Sequence, residues 1–168
     1  MLKGSNMEPK LVEELNKQLN RELYNALLYL SMASYLDYRN LSGFANYFKV
    51  QAKEELEHAM KIYDFLNDRG QRVLIESIPR PKQEWKDVLE LVEDFYKAEV
   101  ENSIAIYKLD DLAKQLNDKT VEHLMRWFIE EQIEEEKISS ELLAKVKMVK
   151  DSLHGLYMLD KELSSRKD

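Results

Sequence analysis

No cysteine occurs among the 168 residues. That absence removes disulfide frameworks, thiolate zinc sites, iron–sulfur clusters and cysteine nucleophiles together, so any metal is held by oxygen and imidazole. Positive charge is short as well: 25 Lys and Arg stand against 32 Asp and Glu, for a net charge of −7. Such a surface repels nucleic acid and anionic membranes and tolerates cations, so neither is expected as a partner. Long apolar runs are missing too. No window approaches the roughly 18 consecutive apolar residues of a membrane span, and the opening MLKGSNMEPK lacks a signal-peptide core. A soluble, cytoplasmic protein is the expectation, organised as a tail over residues 1–6 and a single domain over 7–168.

The last scarcity is of helix breakers, with only 4 Gly and 3 Pro. Past the N-terminal segment they stand at Gly43, Gly70, Pro79, Pro81 and Gly155, and they read as punctuation between helices. Pro9 suits a first helical turn, where a missing N–H costs little. From there an apolar pattern runs to about Asp37, and RNLSG makes a short turn. A second helix is expected from about Phe44 to Arg69, ending at Gly70. QRVLIESIPRPKQEW then forms a long connection, because its two prolines cannot be helix interior. Helices over about 85–116 and 119–149 follow, separated at LNDKT with Asp118 as a cap. A short amphipathic helix over about 156–164 closes the chain. The fold class is therefore all-α: an antiparallel four-helix bundle with one long crossover after the second helix and a short fifth helix.

The apolar stripes of these helices are interrupted. Steps of three and four residues give Leu15, Leu19, Glu22, Ala26, Tyr29, Ala33 and Leu36 on the first helix. The second gives Phe44, Phe48, Gln51, Glu55, His58, Ile62 and Phe65, so Glu55 and His58 share the seam one turn apart. On the third, Glu99 breaks a stripe running from Trp85 through Val92, Phe95, Asn102 and Ile106. On the fourth, Gln132 and Glu135 interrupt Met125, Phe128, Ser139 and Leu142. Every long helix thus carries an acidic residue near its middle. In an antiparallel bundle of equal helices, mid-length positions meet at one level.

Bare carboxylates gathered there would each cost several kcal/mol to bury, so cations must neutralise them. Two divalent ions supply the balancing charge, and oxygen donors with one histidine suit iron, manganese or zinc. Di-iron carboxylate bundles use two Glu and two Glu-x-x-His pairs. This chain has one such pair, Glu55 to His58, and Gln132-x-x-Glu135 in place of the second. A buried polar network that only fixes helix register is the alternative.

Four segments, NRELYNALLY, EELEHA, WFIEEQIEEE and GLYMLDKELS, together resemble the non-haem ferritins of prokaryotes, over about residues 8–165. The resemblance implies a ferroxidase centre in which Glu22, Glu55 and His58 hold one iron. Glu55 would bridge to a second iron held by Glu99 and approached by Gln132 and Glu135. It further implies a third iron site at Glu54, Glu131, Glu134 and Glu135, although EEQIEEE also reads as a solvated acidic face. Tyr29 matches a tyrosine beside the family's iron pair, where its phenol hydrogen-bonds a ligand carboxylate or gives an electron. The alternative is a core aromatic with its hydroxyl satisfied. Trp127 matches a nearby tryptophan and reads as core packing. Haem is not expected, because the second Glu-x-x-His is absent. His123 and His154 read as surface residues. Asp118 and Glu122 could line an ion pore, although capping alone explains Asp118.

By this resemblance the protein oxidises Fe(II) with oxygen or hydrogen peroxide and deposits Fe(III) mineral inside a homo-oligomeric, 24-subunit cage. Tyr24, Tyr38, Tyr47 and Tyr63 on outer faces could then serve subunit contacts. A non-storing diiron oxidase or peroxidase is the rival reading, and a metal-free partner-binding bundle is the third.

Overall fold

The computed structural model describes residues 6–168. Residues 1–5 of the expected tail lie outside them, while Met7 is buried against the bundle. Five helices and no strand are found among the described residues: α1 (Pro9–Tyr38), α2 (Ser42–Asp68), α3 (Val88–Gln115), α4 (Lys119–Val149) and α5 (Leu153–Leu163). The expected class holds, an antiparallel four-helix bundle with its long crossover after α2.

Helix ends follow local chemistry. Three helices stop at a residue in the left-handed region: Asn40 (φ 61°), Gly70 (φ 68°) and Asn117 (φ 55°). In each case the next N–H reaches back into the last turn, as in Leu41 N to Leu36 O at 2.9 Å and Gln71 N to Leu66 O at 2.8 Å. Asp118 caps α4 by accepting from the Thr120 and Val121 amides. Its capping role is thereby established.

Some boundaries differ from expectation. Helix α3 begins at Val88, not near 85, because Asp87 accepts from Glu90 N at 2.8 Å while the Glu90 carboxylate accepts from Lys86 N. Trp85 therefore precedes the helix; it is buried all the same, its indole donating to Asp94 at 2.8 Å. Helix α5 starts at Leu153 because Ser152 caps it through Gly155 N, so Gly155 lies inside the helix. Gly43 likewise lies in the first turn of α2.

The crossover, residues 69–87, lies along α1 and has its backbone satisfied by α1 side chains. Asn16 donates to Arg72 O and accepts from Leu74 N; Asn20 donates to Leu74 O and accepts from Glu76 N. Further along, Ser31 donates to Lys82 O and Tyr35 to Trp85 O. This pinning returns the chain to the end of the bundle where it can enter α3.

The core is in two parts. One joins the C-terminal half of α1, the N-terminal halves of α2 and α3, the C-terminal half of α4, and α5, around Tyr29, Phe48, Phe95 and Leu142. The other joins the opposite halves around Leu15, Leu19, Ile62 and Phe128. That pairing of halves is the antiparallel arrangement itself. Between the two parts lies a polar layer.

Helix α5 docks on α2 where Asp160 accepts from Phe44 N at 2.9 Å. The approach is so close that a Cβ added at Gly43 would collide with the Asp160 backbone carbonyl. Gly43→Ala is expected to lift α5 off α2, with a cost of about 1–3 kcal/mol for overpacking. Limited proteolysis checks this: cleavage around residues 150–152 should accelerate, and an unchanged rate would show that the docking tolerates a side chain.

Candidate metal centre

The polar layer is made by the residues that interrupt the stripes. Glu22, Glu55, Glu99 and Gln132 are 0% exposed, Glu135 2% and His58 4%. Their ligand atoms form overlapping groups. Glu22, Glu55 and His58 each bring one atom within 4.8 Å of the others, and so do Glu55, Glu99 and Glu135. Glu55 belongs to both. The long gaps inside the first group, 3.9 Å from His58 Nδ1 to Glu22 Oε2 and 3.8 Å to Glu55 Oε1, exceed hydrogen-bonding distance.

Hydrogen bonds reach the outer carboxylates and leave the central one free. Glu22 Oε1 accepts from Gln18 Nε2 at 3.0 Å and from Asn102 Nδ2 at 3.3 Å. Tyr29 donates to Glu99 Oε1 at 2.5 Å, and Gln132 Nε2 to Glu99 Oε2 at 3.3 Å. Gln51 Nε2 donates to Glu135 Oε2 at 2.6 Å. The buried atoms that lack any partner among the described residues are Glu22 Oε2, both oxygens of Glu55, and His58 Nδ1. Four orphaned polar atoms buried in one layer, with no cation to meet them, would be costly; divalent ions placed in the two overlapping groups satisfy them. The donor set fits iron on this ground, since carboxylates with one imidazole suit hard and borderline divalent metals.

The remaining expected residues fall around this layer. Tyr29 hydrogen-bonds a carboxylate of the layer and packs edge-on against Phe95 at 5.2 Å. Gln132 acts on Glu99 and on Ser103, at 3.1 Å, with its own carbonyl accepting from Asn102. Trp127 is half-buried and stands edge-on to the His58 ring at 5.6 Å. His123 and His154 are exposed, as expected. Glu122 pairs with Lys119 at 3.0 Å.

Comparison with known proteins agrees with this geometry. A family model described as a ferritin-like domain matches residues 12–149. The bacterial non-heme ferritin of Staphylococcus saprophyticus is 38% identical over 95% of this chain and 96% of its own. That of Staphylococcus haemolyticus is 38% identical over 93% and 94%. Among solved structures, an engineered closed form of the Archaeoglobus fulgidus ferritin superposes with a TM-score of 0.95 at 41% identity, over 96% of this chain and 99% of its own. The open-pore ferritin of the same archaeon gives the same score and identity. The chain belongs to the ferritin family.

With the ferritin fold in hand, the expected third set of carboxylates is only partly gathered. Glu54, Glu131, Glu134 and Glu135 line one cavity of about 360 Å³ beside the layer. Two of them, Glu131 and Glu135, form a three-residue ligand group with His58, which does not line that cavity. Glu54 is engaged by Arg166 at 3.1 Å, and Glu134 is exposed. Tyr47, expected on an outer face, is instead buried. Its ring packs edge-on against Phe48 at 5.4 Å, and the Arg166 guanidinium lies over the ring, 4.1 Å from its centre.

Residues not singled out beforehand complete the layer: Gln18, Gln51, Asn102, Ser103 and Arg166. Gln18 stands four residues before Glu22 and Asn102 three after Glu99, so helical offsets from the carboxylates point to them. Nothing comparable points to Arg166, which follows the last helix.

Burial pushes Glu99 up from 4.5 to about 7, against the Tyr29 hydrogen bond and with the Glu22 charge. Burial first, then the neighbouring Glu99 charge, raises both Glu55 and Glu135 well above the ordinary range. Without metal, the unfolded chain releases these protons near pH 4.5 while the folded chain holds that of Glu99 until about 7. Stability of the metal-free protein should therefore fall as pH rises across that window, by an amount on the order of 3 kcal/mol for Glu99. Urea denaturation of the metal-free protein checks this: Glu99→Gln should flatten the decline, and excess Zn(II) should reverse it above pH 7.

Proposed function

We propose that this chain stores iron: it binds two Fe(II) in the polar layer, oxidises them, and passes Fe(III) to a mineral enclosed by a homo-oligomeric, 24-subunit cage. The observation that carries the reading is Glu55, shared by two ligand groups and unpartnered at both oxygens. A carboxylate free on both sides between two sets of donors is what a bridge between adjacent ions requires. Glu22 and His58 would complete one side, Glu99 and Glu135 the other.

Each Fe(II) gives one electron. The pair balances the reduction of O₂ with two protons to H₂O₂, or of H₂O₂ with two protons to two waters. The chain's own contribution is placement and dryness. Gln18 and Asn102 hold Glu22 at one oxygen, and Tyr29 and Gln132 hold Glu99 at both. The Tyr29 phenol is fully buried, and burial, followed by the Glu99 charge, keeps its proton on well beyond the ordinary range. It therefore remains a donor that orients Glu99. Fe(III), the more acidic ion, hydrolyses water, and the acidic cavity bordered by Glu54, Glu131 and Glu134 offers a route of carboxylates away from the layer.

Self-association finds support in apolar side chains left exposed on the subunit: Leu30 (52%), Tyr38 (90%), Ile75 (61%) and Met148 (80%). Tyr63 is also exposed and Tyr24 half-buried, which leaves both accessible for contacts. No helix among the described residues is long and apolar enough to cross a membrane, and a cytoplasmic location fits iron storage.

Aerobic addition of excess Fe(II), followed by size exclusion and iron counting, tests the reading. Hundreds of irons on a cage-sized peak are expected; two or three per chain on a small peak would support the non-storing diiron oxidase. Glu55→Ala and His58→Ala should slow oxidation by at least about 10–100-fold, the cost of disturbing even outer-shell groups at a metal site. The cage should stay intact. Oxidation at the original rate in both variants would return the layer to the role of a register-fixing network.

A further inference from the structure

The acidic cavity beside the metal layer already holds a cation of the chain's own. Past α5 the backbone is laid along α2 by Asn46, whose side-chain amide donates to Leu163 O at 3.3 Å and Arg166 O at 3.0 Å. Lys53 pairs with Asp168 at 3.2 Å further on. This anchoring delivers Arg166 to the cavity, where its side chain is only 17% exposed. Arg166 Nη2 donates to Glu54 Oε2 at 3.1 Å and to Gln51 Oε1 at 2.9 Å, while Nη1 donates to Tyr47 O at 3.2 Å. The guanidinium lies 4.1 Å from the centre of the Tyr47 ring.

Both targets of Nη2 matter to the metal layer. Glu54 borders the cavity with Glu131, Glu134 and Glu135. Gln51 passes its own amide hydrogen to Glu135 at 2.6 Å. Lys145, the other basic residue lining the cavity, is turned to Glu162 at 2.8 Å. Among the described residues that line this cavity, Arg166 is thus the cation bonded to one of its carboxylates.

We infer that Arg166 is a tethered counter-ion that competes with a metal ion for the cavity's carboxylates and must release Glu54 before an ion binds there. The inference rests on the iron-storing reading of the layer and adds a control to it. A guanidinium supplies one charge and a fork of hydrogen bonds. A divalent ion supplies twice the charge in direct contact with oxygen. With little metal the tail closes the cavity and steadies Glu135 through Gln51; with more metal the ion wins Glu54 and the guanidinium swings out. The C-terminal tail then sets how readily iron moves from the layer into the cavity.

Anaerobic calorimetric titration of the assembled protein with Zn(II) tests this by counting ions per chain. Wild type should take up two ions tightly and a third weakly. In Arg166→Gln the third ion should bind about tenfold more tightly, the effect of removing one adjacent charge in a partly solvated site. The first two, which Arg166 reaches only through Gln51 and Glu135, should shift far less than the third. Arg166→Lys should fall between, since an ammonium keeps the charge and loses the fork and the ring contact. In Glu54→Gln, replacing Arg166 should no longer matter. Third-ion binding that is equal or weaker in Arg166→Gln would overturn the inference and make the guanidinium a strut for Glu54. Failure of wild type to bind the first two ions would overturn the metal-centre reading, and this inference with it. Helical circular dichroism of each variant confirms that the fold is retained.

Discussion

Four carboxylates and an imidazole withdrawn from water in the middle of a helical bundle are the constraint on which the rest of this molecule depends. Each buried charge costs several kcal/mol unless something opposite in sign meets it. The protein answers in two ways. It ties the outer carboxylates with amides and a phenol, from Gln18, Gln51, Asn102, Gln132 and Tyr29. It leaves Glu55, at the centre, with no hydrogen-bond partner among the described residues. Hydrogen bonds to the periphery fix where ligands stand; their absence at the centre makes the apo state depend on protons and the loaded state on metal.

The helices are built to carry that layer. Because it cuts the core into two apolar parts, each part must be large enough to hold its end of the bundle alone, and each gathers residues from all four long helices. A shorter bundle could not place a polar layer between two apolar ones. The crossover follows from the same accounting. It returns the chain along α1 from Asn16 to Tyr35, and its extended backbone would be unsatisfied against a helix surface without Asn16, Asn20, Ser31 and Tyr35. Polar residues on α1 thus serve two faces, Glu22 inward and the asparagines toward the crossover.

What was legible beforehand was whatever the helical period exposes. Glu22, Glu55, His58, Glu99, Gln132 and Glu135 stand out because each breaks a run of apolar seam positions, and all six are buried. Features set by short-range capping were less legible. Trp85 continues the seam of α3 on paper, yet Asp87 and Glu90 form their reciprocal cap after it and start the helix at Val88. Gly43 and Gly155 read as breaks but serve as a close-approach point and a capped first turn. Tyr47 differs for another reason: its inward ring is covered by a residue more than a hundred positions away, and no local pattern announces Arg166.

The unequal ligand sets carry an argument about turnover. The histidine lies with Glu22 and Glu55, whereas the group of Glu55, Glu99 and Glu135 is all oxygen. Where a second Glu-x-x-His would supply another imidazole, this chain has Glu135, and Gln132 stands in place of the glutamate with its amide spent on Glu99 and Ser103. A cofactor that must stay would be better held by a second nitrogen ligand. An ion that must leave as Fe(III) is better served by an all-oxygen set that shares a carboxylate with its exit, because the first step then keeps one ligand in common. Glu135 occupies that junction, shared between the all-oxygen group and the cavity bordered by Glu54 and Glu131. The asymmetry favours a centre that passes iron on over one that retains it, which is the physical distinction between storing the metal and using it as a resident redox cofactor.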